Sequence, residues 1–487
     1  MSLSRRGFLA GSGAALAAIS TQHSWAESPL YWQAGWQTAP AEGYASTDMT
    51  LIRGELPADL KGVLYRNGPA QFRYGDQYLD HWFDGDGMVH SIRFEDGRAV
   101  HSGQFVKTEK RIAEQAAQKF LAPGFGTLGD PSYPVSSADA TNAANTSVLR
   151  VGDDLLALWE AGSAYRLDPV SLETLGPKTW RGDLKGVPFL AHPKVETNGT
   201  IWNLGVSGPN VGIYRISADG SQTDFGLVNI GVPAYIHDFA MTERHLLILV
   251  QPWIYQKQTP PFTNSMAWSP EQGLRVLIVD KSDFSNTRWA ELPPRFFFHT
   301  GDAWEDADGR IFIDLATYPD SQFVEQGEAD TIEGKYQKPA HSGAQMAMIM
   351  IPKKGEASLT ETGLPAEFPR IDPRYQGQAR NQVWMIDSEQ RDFAPGSSKI
   401  RRLDWQTMVP DMHDFGREHM VEEHIFVPRH DSAQEGVGWL VGTTLNMKER
   451  ATEVHVFDAM HLNDGPMASF RAPYAWPLGF HGTWADA

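Results

Sequence analysis

Cysteine is missing altogether from this 487-residue chain, which excludes a disulfide framework, a thiolate nucleophile, a cysteine-ligated zinc and an iron–sulfur cluster. Any metal must then be held by histidine and carboxylate. Positive charge is scarce as well: 42 Lys and Arg stand against 60 Asp and Glu, a net charge of −18 at pH 7, with no basic run. A phosphate backbone needs clustered cations to displace its counterions, so nucleic acid is not an expected partner. Beyond residue 26 no apolar run approaches the roughly 18–20 residues that span a bilayer. The Gly-x-Ser-x-Gly elbow, a glycine-rich phosphate loop closing on Gly-Lys-Ser/Thr and the His-Glu-x-x-His helix are also lacking, which argues against serine hydrolases, common ATPases and zincins.

The first 26 residues differ from the rest. Ser4-Arg5-Arg6-Gly7-Phe8-Leu9 sets paired arginines before an Ala/Gly-rich run reaching Ile19, and Ser24-Trp25-Ala26 offers small residues for cleavage after Ala26. This reads as a twin-arginine export signal. The apolar run of about 13 residues is too short for a membrane anchor. The expected destination is the periplasm, reached as a folded protein whose cofactor is loaded before export.

Residues 27–487 show no Ser/Gly/Pro-rich linker and no charge block, so a single domain is expected. Short β-branched or aromatic stretches recur, each ending at an acidic turn: Asp168, Asp280, Asp387 and Asp458. They read as equivalent strands of repeated sheets. Asp-Gly turns at Asp96-Gly97, Asp219-Gly220 and Asp308-Gly309 mark hairpins, because the tight turn needs a positive φ. Long amphipathic helices are rare, the best candidate covering 107–122. The gaps between the strand-ending aspartates keep no fixed period. The fold class is therefore all-β, most economically a β-propeller with a pair of two-sheet sandwiches as the alternative, and the pattern leaves the blade number open.

Two local clusters invite a metal reading. His413, His419, Glu423 and His424 lie close together, but their spacing fits neither a helix face nor one face of a strand. Asp84-Gly85-Asp86-Gly87 lacks the third alternating acid and the closing Glu of a calcium loop and is read as a structural turn.

Other fragments, taken in order, are more telling. Leu64-Tyr65-Arg66-Asn67-Gly68-Pro69 is followed by His81-Trp82-Phe83-Asp84-Gly85-Asp86-Gly87-Met88-Val89, Ala144-Asn145-Thr146 and Leu156-Ala157-Leu158-Trp159-Glu160. Ala191-His192-Pro193, Ile236-His237-Asp238-Phe239, Phe298-His299, Glu367-Phe368-Pro369-Arg370, Glu423-His424-Ile425-Phe426-Val427-Pro428-Arg429 and Phe480-His481-Gly482 complete the series. This succession resembles the carotenoid cleavage oxygenase family along the whole of 27–487, and within it the bacterial apocarotenoid-15,15'-oxygenases that form retinal.

The resemblance implies a seven-bladed propeller with a helical and loop cap over its metal-bearing face. It implies one non-haem Fe(II) per chain, held by His192, His237, His299 and His481. Spacing could not have selected that quartet from sixteen histidines. Neutral imidazoles suit Fe(II) and leave its charge uncancelled for polarising dioxygen, the co-substrate. Each bound imidazole needs a partner for its other N–H. The family supplies three glutamates, which map to Glu160, Glu367 and Glu423 facing His237, His299 and His481, with His192 left without one. Thr146 matches the position whose methyl group shadows an open coordination site. The implied reaction splits one C=C bond of an apolar polyene into two carbonyl products without an external electron donor.

Strand alternation puts Tyr235 on the face of His237, and Trp159 and Phe298 adjoin site residues, so these three are the candidate substrate wall. Residues 296–298 and the stretch 252–262 are further candidates for a tunnel or its membrane-facing mouth, giving possible peripheral membrane contact. No protein partner is implied. Family members that cleave phenolic stilbenoids anchor the ring hydroxyl with a lysine directly before the first glutamate; here that residue is Trp159, and an indole cannot stabilise a phenolate as an ammonium can. A propeller that only binds a lipid or a protein, and a hydrolase using zinc on the same histidines, are the readings from other classes.

Overall fold

The computed structural model describes residues 31–486, so the expected export signal lies outside the described residues. Seven sheets of four or five antiparallel strands stand around a common axis, with two extra two-stranded hairpins beside them. This is the seven-bladed propeller, and the sandwich alternative falls. The second to sixth blades each follow the chain in order, the fourth interrupted by the hairpin Trp253–Tyr255 and Met266–Trp268, and the ring is closed twice. Gly482–Asp486, the last strand, pairs with Gly62–Pro69 as the innermost strand of the first blade. Thr50–Gly54, near the start, pairs with Ala468–Arg471 as the outermost strand of the seventh. Joining both ends of the chain to the same ring removes the open edge that a linear array of sheets would leave.

The innermost strands are Ser147–Val151, Lys194–Val195, Ala240–Met241, Phe296–Glu305, Glu367–Arg370, His419–Pro428 and Gly482–Asp486, from the second blade round to the first. Cores form between neighbouring blades, where alternate residues of facing sheets interlock. Leu246, Ile248, Val211 and Ile213 fill one such layer, and Leu247, Leu249, Ile313 and Leu315 the next.

The acidic turns have a common local cause. Asp168, Asp280, Asp387 and Asp458 each accept a hydrogen bond through the side chain from the backbone N–H two residues on, which closes the turn after the strand. The strands themselves are not all equivalent, however. Those before Asp168, Asp280 and Asp458 are third from the axis, whereas Gln382–Ile386, before Asp387, is second. The turn chemistry recurs at either end of a blade, so it marks turns without counting strands. At Asp96-Gly97 both residues adopt positive φ, as expected. The helix expected over 107–122 is shorter, Glu109–Ala117. Thr108 caps its first turn through Arg111 N–H, and Gln118 ends it in the left-handed region at φ 53°. The expected cap is formed by this helix, two single-turn helices at Gln322–Glu325 and Ala329–Ile332, and loops.

One buried stack makes the fold acid-sensitive. His90 and His101 share a hydrogen bond at 3.0 Å, and His101 lies flat on Trp476 with ring centroids 4.0 Å apart. Burial pushes His101 down to about 3 and holds His90 and His455 well below the ordinary imidazole range. In the unfolded chain the same rings titrate near pH 6.5. Stability is therefore complete above that pH and is lost progressively as the pH falls toward 3. Going from pH 7 to pH 5 is expected to cost about 2 kcal/mol for His101 alone, read from denaturant midpoints at the two pH values. Equal stability at both would contradict this.

Candidate metal centre

Each blade sends one residue to the axis, from its innermost strand or from the one to three residues before it. The second blade brings Thr146, the third His192, the fourth His237, the fifth His299, the sixth Glu367, the seventh Glu423 and the first His481. Local sequence helps to aim them. Pro193 confines His192 to extended backbone. In the segment before Ala240–Met241, which belongs to no strand, the Tyr235 and His237 rings nonetheless lie on one side, stacked with centroids 6.1 Å apart.

The four imidazoles meet. Their candidate ligand nitrogens all lie within 4.8 Å of one another, and those of His192 and His237 approach to 3.0 Å. His299 Nε2 is buried with no hydrogen-bond partner. An unpaired buried nitrogen is costly, and four imidazole nitrogens brought to one point leave lone pairs that repel unless something positive sits between them. The donor set, all nitrogen and no sulfur, fits a divalent transition metal such as iron. The neighbouring histidines add to burial in holding His192 well below the usual imidazole range. Burial brings His481 down to about 3 against the opposing pull of Glu423. Both rings are neutral at neutral pH.

The orientation of the rings comes from three carboxylates, paired as expected. His237 Nδ1 donates to Glu160 Oε2 at 2.5 Å, His299 Nδ1 to Glu367 Oε2 at 2.6 Å, and His481 Nδ1 to Glu423 Oε1 at 2.8 Å. Keeping the proton on Nδ1 leaves Nε2 as the free lone pair directed at the centre. Among the described residues no carboxylate is bonded to His192.

The outer partners of these carboxylates went unforeseen. Tyr235, expected only as a tunnel wall, donates its hydroxyl to Glu160 Oε1 at 2.7 Å. Tyr318 does the same for Glu367 Oε1 at 2.9 Å. Arg370 donates to Glu423 Oε1 at 2.7 Å, and the Gly482 amide to Oε2 at 2.7 Å. Burial would raise the Glu423 carboxyl, but the Arg370 guanidinium and His481 outweigh it and hold Glu423 well below the usual carboxylate range. Phe368, at φ 51°, stacks its ring on His299 at 4.8 Å. The signal for Arg370 and Phe368 lay in the fragment Glu367-Phe368-Pro369-Arg370; Tyr318 had none.

A cavity of about 580 Å³ reaches the histidines, and its lining includes Thr146, Trp159, Tyr235 and Phe298 together with Glu160, Glu367, His237, His299 and His481. Phe298 meets His237 edge-on with centroids 4.9 Å apart. Phe296 and Phe297 are wholly buried outside the cavity, so of residues 296–298 only Phe298 forms wall. From 252–262, Tyr255, Gln258, Pro260 and Phe262 face it, while Trp253 packs behind them. The one cation on the wall, among the described residues, is Lys110, and its ammonium is held by Asp86 and Glu114 at 2.8 Å each.

The two decoy clusters resolve as structural. His419 bonds Glu453 and His424 bonds the Glu422 carbonyl, while Glu423, between them in sequence, turns to the axis. Asp84 accepts amide protons from Gly126 and Thr127, and Asp86 pairs with Lys110 and Arg111, fastening the cap rather than forming an ion loop.

This arrangement has known counterparts. The profile of the family described as retinal pigment epithelial membrane protein, RPE65, matches residues 37–486. Resveratrol cleavage oxygenase 1 of Aspergillus fumigatus is 28% identical, with 89% of this chain and 91% of its own length covered. The apocarotenoid-15,15'-oxygenase of Synechocystis is 27% identical over 94% and 97% of the two chains. A solved structure of a variant of the Synechocystis apocarotenoid oxygenase superposes with a TM-score of 0.84 at 25% identity, covering 94% of this chain and 98% of that one. A cobalt-substituted form of that oxygenase gives 0.83.

Two substitutions test the centre. His299→Ala removes a ligand nitrogen and should abolish stoichiometric metal uptake. Glu423→Gln should leave the circular dichroism unchanged and weaken metal binding by roughly 10–100-fold, as loss of an outer carboxylate generally does. Titration of apoprotein with Fe(II) under argon measures both, and native affinity in either variant would contradict the assignment.

Proposed function

Because the chain belongs to the RPE65 and carotenoid cleavage oxygenase family, we propose that it is a non-haem Fe(II) dioxygenase that cleaves a C=C bond of an apocarotenoid or carotenoid, giving aldehydes such as retinal. One observation carries the substrate class: the cavity at the four histidines is walled by Trp159, Tyr235, Phe298 and other aromatics, and its one lysine is already saturated by two carboxylates. Such a wall binds a long apolar chain by burial and offers no charge to an ionised phenol.

The four histidines would hold the iron, which supplies the binding and activation of dioxygen. The other roles belong to the protein. Glu160, Glu367 and Glu423 hold the Nδ1 protons of three ligands and so keep the opposite nitrogens unprotonated. Thr146 lines the cavity, takes the His481 amide on its carbonyl at 3.3 Å and gives its hydroxyl to Asn145 at 3.2 Å; its methyl group would shadow an open position at the centre. Trp159 and Phe298 exclude water and set the polyene against the centre. The balance is one C=C bond and one O2 going to two C=O groups, with no electron or proton supplied from outside.

Export through the twin-arginine route and contact of the cavity mouth with a membrane are part of the same reading. Leu128 and Val135, exposed apolar residues with Val135 on the cavity wall, suit a mouth that takes substrate from a bilayer. No helix among the described residues is long and apolar enough to cross a membrane.

A second reading, cleavage of a stilbenoid, is favoured by the 28% identity to resveratrol cleavage oxygenase 1. Trp159 weighs against it, since it stands where a phenol-binding lysine would be needed. Fe(II)-reconstituted protein, offered an apocarotenal and resveratrol separately with oxygen, decides between them by the masses of the aldehydes formed. Retinal-type product is expected; phenolic aldehydes alone would overturn the polyene reading, and no product from either with iron bound would overturn both.

A further inference from the structure

One step along the inner strands from the histidines, the axis is polar although it is sealed from water. Asp238 follows His237 directly and is 1% exposed. Its Oδ1 accepts the Lys194 ammonium at 2.8 Å and the Phe239 amide at 2.7 Å. Its Oδ2 accepts both the amide and the hydroxyl of Thr300, each at 2.8 Å. Lys194 closes the triangle by donating to Thr300 Oγ1 at 3.3 Å.

The positions of these partners matter more than their number. Lys194 lies two residues after His192, Asp238 one after His237, and Thr300 one after His299. A single carboxylate thus joins the third, fourth and fifth blades immediately behind three of the four converging histidines. His192 depends on it most, since no carboxylate holds its ring. Its backbone is placed by Ser147 on the Ala191 carbonyl, by Asn203 on the Leu190 carbonyl at 2.7 Å, by the fixed φ of Pro193, and by Lys194 anchored to Asp238.

We propose that Asp238 is a positioning residue for the metal centre, setting through Lys194 and Thr300 the mutual spacing of His192, His237 and His299. The proposal rests on the reading of the four histidines as a metal site. A buried ion pair is not needed merely to hold strands together, because well-packed apolar side chains of the same volume do that as well or better. What the carboxylate adds is direction: four hydrogen bonds to groups on three blades admit one relative placement of those blades, and hence one ligand geometry.

The test is Co(II) binding to full-length apoprotein, followed by equilibrium titration and by the ligand-field absorption bands, which report ligand geometry independently of turnover. Asp238→Asn is expected to weaken Co(II) binding about 10–100-fold, the range for a residue acting behind the ligands, and to shift the bands. Thr300→Val, which removes one hydroxyl, should move both in the same direction by less. Asp280→Asn is the control: Asp280 is buried at the end of a strand third from the axis, where it accepts the Ser282 amide at 2.9 Å and pairs with Arg244 at 3.1 Å. It should lower the melting temperature and leave affinity and bands at their native values. The proposal is overturned if Asp238→Asn and Thr300→Val bind Co(II) with native affinity and native bands. It is equally overturned if Asp280→Asn alters both as much. Should Asp238→Asn not fold, Thr300→Val decides alone. A native chain that takes up no Co(II) would instead remove the metal reading, and this proposal with it.

Discussion

An imidazole has two nitrogens and, when neutral, one proton, and a cluster of four works as a ligand set only if every ring keeps its proton on the outer side. In this protein that constraint is met for three of the four rings by hydrogen bonds from Nδ1 of His237, His299 and His481 to the carboxylates of Glu160, Glu367 and Glu423. The carboxylates need fixing in turn, and receive it from Tyr235, Tyr318 and Arg370. The site is thus a set of nested shells in which each layer settles the protonation and direction of the one inside it. Burial makes the arrangement strict, since a misplaced proton in a dry pocket has no water to take it.

The propeller is well suited to that demand. Side chains separated by 45, 62 and 182 residues in sequence come together because the innermost strand of each blade, with the residues just before it, lines one axis. Rigidity follows from closure at both chain ends, which leaves the ring no free edge along which blades could slide. The cap supplies what the propeller lacks, an apolar cavity over the metal-bearing face, and it is fastened by the Asp86, Lys110, Arg111 and Glu114 ion-pair group.

Much of the fold was legible because its signals are local. Asp-Gly turns, acidic strand ends and the shortage of amphipathic helix all act within a few residues, and they point to repeated antiparallel sheets. Strand position within a blade was not legible, as Asp387 shows, because the same turn chemistry closes different strands. The helix over 107–122 was overextended because its apolar pattern continues into the loop after Gln118. For the site, the absence of cysteine restricted any metal to histidine and carboxylate, yet the particular quartet came from family resemblance and not from spacing. Of the partners of the carboxylates, Tyr318 was invisible for a physical reason, since it lies 49 residues from Glu367 and shares no motif with it, whereas Arg370 stood in the Glu367 fragment while its bond runs to Glu423, 53 residues on.

The central claim is that the metal is bound by four imidazoles alone, with the glutamates one layer out. X-ray absorption of the Fe(II)-loaded protein tests it most directly. The account predicts four nitrogen neighbours with the outer-ring scattering of imidazole and no protein carboxylate oxygen bound to iron. Fewer than four imidazoles, or a carboxylate from Glu160, Glu367 or Glu423 on the metal, would contradict it.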